Sequence, residues 1–297
     1  MTLKQLQTKL EELEALIYSG KDYAQTESQA RELLNILPVG DEVGDIELHC
    51  RTLLVLANSL WRRSIANEAL SVTKEALVLA ENTNNIGLQA VALNTLGTVY
   101  FKLSKYIHSL EIYLAALSRY EELNDNVGTA IISGNIGMIY AELSDYDCAL
   151  EYYNRALSIY NMLGDISMAA SVNGNIGNMY RYQLNYARAL EYFEIALSAH
   201  TQVGNRASAA IVTGGIGCVY LSISDYTHAL NYLTAALAAH EELEMKSEAA
   251  SALGNIGLVY ARDDYEGYNP LLAEELLLKA LLTLEEVNAK GDLNDIH

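Results

Sequence analysis

The segment from Ser133 to Leu157 reads SGNIGMIYAELSDYDCALEYYNRAL, and the chain repeats it in closely similar form 40 residues later. The second copy, Asn173 to Leu197, reads NGNIGNMYRYQLNYARALEYFEIAL, and a third, Thr213 to Leu237, reads TGGIGCVYLSISDYTHALNYLTAAL. A fixed period of this length is the sequence signature of a repeat architecture, in which each unit packs only on its neighbours. The chain is therefore predicted to be an array of similar units.

The apolar positions within each unit follow a helical spacing. A glycine recurs every 40 residues, a tyrosine stands three residues after it, and alanines occupy two positions seven residues apart. Large and small apolar residues three, four and seven apart line one face of a helix. Each unit holds two such faces, so it is predicted to be a helical hairpin. The glycines and alanines mark the places where two helices approach closely.

This pattern resembles the tetratricopeptide repeat, in which Leu-Gly is followed by a tyrosine and the second helix carries Ala, an aromatic residue and Ala at fixed spacing. The matching positions in the best-preserved unit are Ile136, Gly137, Tyr140, Ala149, Tyr153 and Ala156. The motif's early Trp and late Pro are absent, and the period of 40 exceeds the usual value of about 34. The lengthened unit is similar to the repeats of kinesin light chains, spindle-orientation adaptors and bacterial signalling proteins. The resemblance implies an all-α fold, a right-handed superhelix (α-solenoid) of about seven helical hairpins.

The array is predicted to be one domain covering residues 1–297. Within it, residues 1–44 form a degenerate N-terminal hairpin and residues 45–244 form the regular repeats. Residues 245–297 hold a divergent last repeat and the start of a truncated one. Terminal units of a solenoid often depart from the motif because they act as caps.

The last repeat contains an insertion. After Tyr260 the link reads ARDDYEGYNP, and Ala273 and Ala280 align with the repeat alanines only if four residues are inserted. Insertions in repeat proteins map to loops, often on a binding face. Two interpretations stay open: an acidic, tyrosine-containing loop that recognises a basic partner, or drift in a terminal repeat.

The C-terminal end suggests a fragment of a longer protein. The last helix is predicted to end near Val287 with Asn288 as its cap, and the next repeat glycine would fall just beyond His297. The apolar flank of the helix Leu271–Val287 would then lack its cover. Because uncovered apolar patches favour association, end-to-end self-association at this end is expected.

Composition narrows the class of partner. The formal net charge is −19 and the isoelectric point is about 4.6, so neither nucleic acid nor an anionic membrane surface is an expected partner. The three cysteines are scattered, with no metal-ligand spacing. That usage favours a reduced, cytoplasmic compartment. No cofactor or metal site is predicted.

Asparagines recur two residues before the repeat glycine, at Asn135, Asn175 and Asn255, while Thr95 and Gly215 interrupt the series. Asparagine is a mediocre helix former, so helix propensity does not explain why it recurs at this mid-helix position. By resemblance to kinesin-light-chain-like repeats, these amides line a concave groove and bond the backbone of an extended peptide. The alternative is that they tie neighbouring helices together.

Further residues along the same first helices are expected to join this groove. They are Thr98, Met138, Asn178, Arg181, Tyr182, Cys218 and Arg262. Arg181 and Arg262 are expected to pair with carboxylates of the ligand, because a guanidinium binds a carboxylate through two parallel hydrogen bonds.

The function that follows is a protein- or peptide-binding scaffold or regulatory module, part of a larger bacterial signalling protein. The alternatives are a sensor of a small ligand or signalling peptide and a self-association module. An enzyme is not expected, because no acid, base and nucleophile set stands out. His200 and His240 share a repeat position and are interpreted as residues of polar helix faces. Trp61 beside Arg62 is either a contact site or a packing residue.

Overall fold

The structure is a computed structural model that describes residues 3–19, 22–37 and 42–292, except for the side chains of residues 18, 19 and 288–292. These residues form fourteen α-helices and no strand. The helices are α1 (Leu3–Ser19), α2 (Tyr23–Ile36), α3 (Val43–Arg62), α4 (Ala66–Asn82), α5 (Ile86–Lys102), α6 (Tyr106–Glu122), α7 (Asn126–Glu142), α8 (Tyr146–Leu163), α9 (Ile166–Tyr182), α10 (Tyr186–Gln202), α11 (Arg206–Ser222), α12 (Tyr226–Glu242), α13 (Lys246–Tyr260) and α14 (Pro270–Asp292). The all-α prediction is confirmed, with helices packed in adjacent pairs as expected of an α-solenoid.

The helices divide into two compact units. Unit 1 contains α1–α7, in which α3 packs on α4, α5 on α6, and each hairpin on the next along the chain. Unit 2 contains α8–α14, in which α9 packs on α10, α11 on α12, and α12 on α13. Neighbour-only packing is the defining property of a repeat array.

The repeat glycines are packing sites. A Cβ added at Gly177 would lie 2.8 Å from Cδ1 of Phe193, on the second helix of the same hairpin. The corresponding distance is 2.6 Å from Gly97 to the Tyr113 ring and 2.8 Å from Gly217 to Cγ of Leu233. These separations are too short for any side chain, so the prediction of close approach at the glycines is confirmed.

Most predicted helix ends are confirmed. Gly164 and Gly204 both have φ of +71°, and Asn84 and Asn124 have φ of +54° and +53°. This is the left-handed conformation that ends many helices. The predicted cap at Asn288 is wrong, because α14 continues to Asp292. The sequence analysis also missed the positive φ values that end the first helices, at Ser64, Ser104, Ser144, Leu184 and Ser224.

The insertion in the last repeat is an ordered link. The Tyr226 hydroxyl donates a hydrogen bond to the Asp264 carboxylate at 2.7 Å. The Tyr265 ring packs against Tyr226, with ring centroids 5.4 Å apart. Ala273 and Ala280 are both buried on α14, as the four-residue insertion requires. The loop residues therefore stabilise the last hairpin, whereas the suggested recognition of a basic partner has no support here.

Trp61 has a packing role in unit 1. The Arg62 guanidinium lies 4.5 Å from the Trp61 ring and 5.3 Å from the Tyr23 ring, so it links α3 to α2. The indole N–H donates to Oδ1 of Asn58 at 3.1 Å. Cation–π contacts of this kind contribute about 0.5–1 kcal/mol where they are exposed. Of the two interpretations of Trp61, the structure supports the packing one.

Across the described part of the chain, every helix is too short or too polar to cross a membrane. The same residues contain no group of three or more His, Cys, Asp or Glu side chains placed to hold a metal ion.

Candidate functional site

The first helices of unit 2 share one surface, called here the first-helix face and formed by α9, α11 and α13. Each hairpin contributes one helix, and α11 contacts both α9 and α13. The sequences of α9 and α11 contain one charged residue each, Arg181 and Arg206, and Arg206 pairs with Glu242 of α12 at 2.6 Å. On α9 and α11 this face is rich in small and amide side chains and carries little charge, whereas α13 adds Lys246 and Glu248.

Two of the three predicted asparagines lie on this face. Asn175 of α9 is half-buried, and its amide makes no hydrogen bond to any other residue that the structure describes. Asn255 of α13 donates from Nδ2 to Sγ of Cys218 on α11 at 3.3 Å. The Asn255 amide thus ties two neighbouring helices, which was the alternative interpretation, while its Oδ1 makes no described hydrogen bond. Asn135 lies half-buried on α7 of unit 1 and also makes no hydrogen bond in the described part.

The gap in the asparagine series at Gly215 has a steric reason. A Cβ at this position would lie 3.0 Å from Cζ of Phe193 on α10. The fully buried Phe193 ring already occupies that space between α9 and α11. A side chain at residue 215 would have to displace the ring, so only glycine fits without rearrangement.

Arg181 is the one half-buried guanidinium on the first-helix face. It lies over the Tyr182 ring, with 4.7 Å from Cζ to the ring centroid, and one terminal N–H points to Oδ1 of Asn178 at a long 3.5 Å. Its Nε is buried and has no partner among the described residues. Burial raises the pKa of the Cys218 thiol, and the nearby Arg181 charge opposes that rise. The structure therefore brings Asn178, Arg181 and Tyr182 together on α9, near Cys218.

Arg262 does not belong to this surface in the way the sequence suggested. Helix α13 ends at Tyr260, and Arg262 lies in the exposed link that follows it. The expectation that Arg262 continues the first helix is wrong, because the chain turns two residues before it. Tyr182, by contrast, is the last residue of α9 and is 55% exposed.

A cavity of about 280 Å³ opens on the same face between α11 and α13. The residues that line it include Leu233, His240, Glu248, Ser251, Ala252 and Asn255. Sequence reasoning missed this site, although a signal was present. One repeat earlier the corresponding residues of Leu233, Ser251 and Ala252 are Phe193, Ile211 and Val212, all larger.

The assignment of His200 and His240 to polar helix faces is wrong. Their exposed fractions are 1% and 3%, and Nδ1 of each ring is buried without a partner among the described residues. Burial lowers the pKa of both imidazoles, and Glu248 partly opposes this at His240. His240 lines the cavity as a neutral ring with unused hydrogen-bonding capacity.

Helical hairpins with a glycine contact and a 40-residue period define a helical-repeat protein. A family model described as "Tetratricopeptide repeat" matches residues 88–162 and 168–242, which is half of the chain. The chain therefore belongs to the tetratricopeptide repeat family. A search of curated proteins gave no match.

Three solved structures illustrate the fold. The apo form of RapI has a TM-score of 0.73 at 17% identity, over 95% of this chain and 99% of RapI. NprR in complex with its cognate peptide NprX has a TM-score of 0.62 at 18% identity, over 97% of this chain and 82% of NprR. BtubC (BKLC) from P. vanneervenii has a TM-score of 0.58 at 23% identity, over 78% of this chain and 92% of BtubC.

Proposed function

We propose that this protein is a protein- or peptide-binding module that holds an extended segment along the first-helix face. The observation that carries the proposal is the half-buried amide of Asn175 on that face, which has no hydrogen-bond partner in the described part of the chain. The amide of Asn135, on α7 of unit 1, is half-buried in the same way. An amide offers a donor and an acceptor together, which matches the alternating N–H and C=O groups of an extended backbone. Asn178, Arg181 and Tyr182 would add contacts beside Asn175, and Asn255 would contribute its free Oδ1.

Charge distribution supports the same surface. A polypeptide segment brings its own side chains, and a face with few charges accepts many sequences without repulsion. Arg181 of α9 is a half-buried charge on this face, and its incomplete set of partners suits a carboxylate of the bound segment, since such pairs are charge-assisted. Arg262 would act only if a ligand extends past the end of α13.

The structural neighbours are compatible with this role. One of them is NprR in complex with its cognate peptide NprX, and another is a Rap protein complexed with competence and sporulation factor. We extend the proposal to a regulatory segment of a larger bacterial signalling protein in the cytoplasm. Cys50 and Cys218 form no disulfide bond, which is consistent with that compartment.

The test is the double variant Asn135→Ala with Asn175→Ala, probed with an immobilised library of random twelve-residue peptides. Loss of two amide contacts is expected to weaken binding about tenfold or more, since each net hydrogen bond is worth about 0.5–1.5 kcal/mol. The melting temperature should hardly change. The matched control is Asn154→Ala with Asn231→Ala, two exposed asparagines on second helices. Equal binding by both double variants, or a large drop in melting temperature for the first, would refute the peptide role of the amides.

Self-association is the second candidate function, and one observation favours it. Helix α14 exposes Leu271, Leu278, Leu281 and Leu282, with exposed fractions from 50% to 78%. Light scattering over a range of concentrations decides the question. A dimer that Leu278→Glu with Leu282→Glu converts to a monomer would support self-association, and a monomer at all concentrations would exclude it.

A further inference from the structure

The cavity between α11 and α13 offers two side-chain acceptors, the carboxylate of Glu248 and Oδ1 of Asn255. Its lining contains one formal charge, the half-buried Glu248 carboxylate, and no lysine or arginine. Asn255 directs one amide N–H at Sγ of Cys218 and makes no described hydrogen bond through Oδ1. The Ser251 hydroxyl donates its hydrogen bond to the backbone oxygen of Ser247 at 3.0 Å. A ligand group that donates hydrogen bonds would therefore fit these two acceptors.

His240 brings a buried polar group without a described partner to the wall of this cavity, and His200 one repeat earlier has the same feature. The His240 side chain is 97% buried, lines the cavity and makes no hydrogen bond within the described part of the chain. A buried polar group without a partner costs about 1–3 kcal/mol. A neutral imidazole offers one acceptor nitrogen, so a donor group in the cavity would recover part of that cost.

Size and apolar walls define the rest of the ligand. Pockets for whole small molecules usually measure about 300–1,000 Å³, and this cavity measures about 280 Å³, which suits one long side chain. Ile211, Leu233 and Ala252 give it apolar walls. Lysine and arginine combine an apolar stem with a donor head. The net charge of −19 also attracts cations to the protein.

We propose that this cavity is a subsite for a basic side chain, lysine or arginine, of the bound polypeptide. The apolar stem lies against Ile211, Leu233 and Ala252, and the cationic head reaches Glu248 and His240. The proposal rests on the peptide-binding function proposed above, and it gives the first-helix face a preferred residue type.

The first experiment uses N-acetyl-lysine N-methylamide as the probe on the full chain, followed by methyl NMR of isoleucine and alanine. The Ile211 and Ala252 signals should shift saturably, whereas N-acetyl-norleucine N-methylamide, which has the same stem without the charge, should shift them little. Glu248→Gln should lower the affinity for the lysine probe by a factor of about ten or more. Glu285→Gln removes the same charge from an exposed site on α14 and should leave binding unchanged.

A second variant tests the cavity without changing its charge. Ala252→Val installs the residue found one repeat earlier at Val212, so it should fold normally, fill the cavity and abolish the Ile211 shift. If the norleucine probe binds as well as the lysine probe, or Glu248→Gln binds as well as the wild type, the subsite proposal is overturned.

The random peptide library separates this proposal from the one on which it rests. Binding that depends on Asn135 and Asn175 but not on basic residues in the peptide would keep the peptide function and overturn the subsite. A lysine probe that behaves as expected while no peptide binds would uphold the cavity as a cation site and reject the peptide function.

Discussion

Two hairpins of the array share a backbone design and differ in what fills it. In unit 1, Tyr113 of α6 packs on Gly97 of α5, and its hydroxyl lies 2.9 Å from Oγ1 of Thr98. In unit 2, the same repeat positions hold Gly217 and Leu233. The unit 1 hairpin is packed by a ring with a satisfied polar end. The unit 2 hairpin has a shorter side chain there.

A second repeat position shows the same contrast. Tyr120 stands late on α6 and is 8% exposed, while His240 stands at the equivalent place on α12 and is 3% exposed. The imidazole is shorter than the phenol ring and leaves a buried nitrogen without a described partner. In these two hairpins, the larger side chains at the variable positions go with the closed interior and the smaller ones with the cavity between α11 and α13.

The largest expected effect concerns the glycine that both hairpins share. Gly97→Val and Gly217→Val should each lower the free energy of unfolding by about 1–3 kcal/mol, since overpacking a tight contact strains both helices. Chemical denaturation measures the loss, and hydrogen exchange should show the damage in hairpins next to the change.

The matched control for this prediction is Gly134→Ala. An added Cβ there meets nothing within 4 Å, so alanine should stabilise α7 by about 0.5–1 kcal/mol through helix propensity. If the two valine variants were as stable as the wild type, the glycines would not be packing sites. The two hairpins would then not share a glycine contact.

A smaller effect is expected from the polar end of the unit 1 ring. Tyr113→Phe removes the hydrogen bond to Thr98 and should cost about 0.5–1.5 kcal/mol, as measured by thermal unfolding. Because burial raises the pKa of Tyr113 to about 12, its hydroxyl stays protonated at all ordinary pH values, and the loss should not depend on pH between 6 and 9. An equally stable variant would mean that the ring alone closes this hairpin.

The smallest effect near neutral pH is expected from the buried histidines of unit 2. The folded state lowers the pKa of His200 and His240 by desolvation, so folding favours their neutral forms. Their contribution is complete above the unfolded pKa of about 6.5 and is lost as the pH falls below it towards the folded pKa. Glu248 faces His240 and moderates the effect there.

The measurement is the melting temperature between pH 8 and pH 5, with hydrogen exchange to locate the change. The wild type should lose stability in unit 2 on acidification. His200→Tyr with His240→Tyr, which copies the residue at Tyr120 and Tyr160, should lose less. A pH profile that is identical for the two proteins would contradict the assignment.

The sequence was sufficient to predict the features that depend on residues close together along the chain. The 40-residue period predicted the hairpins, and the glycines predicted the close contacts. Gly164 and Asn84 predicted helix ends, because few residue types adopt a left-handed conformation. The four-residue insertion could also be placed, since the alanines of α14 had to return to the buried face.

The candidate site was only partly predictable. Asn175, Asn178 and Arg181 could be placed on one helix face from spacing alone, because 3.6 residues make one turn. The Asn255 bond to Cys218 joins residues from different hairpins, and no pattern within one repeat shows it. Arg262 was misplaced because the end of α13 depends on how the insertion folds against Tyr226.

Repeat period, hairpin order and family were thus determined by the sequence itself, since they follow from local helix geometry repeated along the chain. The burial of His240 and the cavity beside it were decided only by the tertiary structure. Each depends on the summed volumes of side chains from α11, α12 and α13, and those volumes meet only after the hairpins have packed.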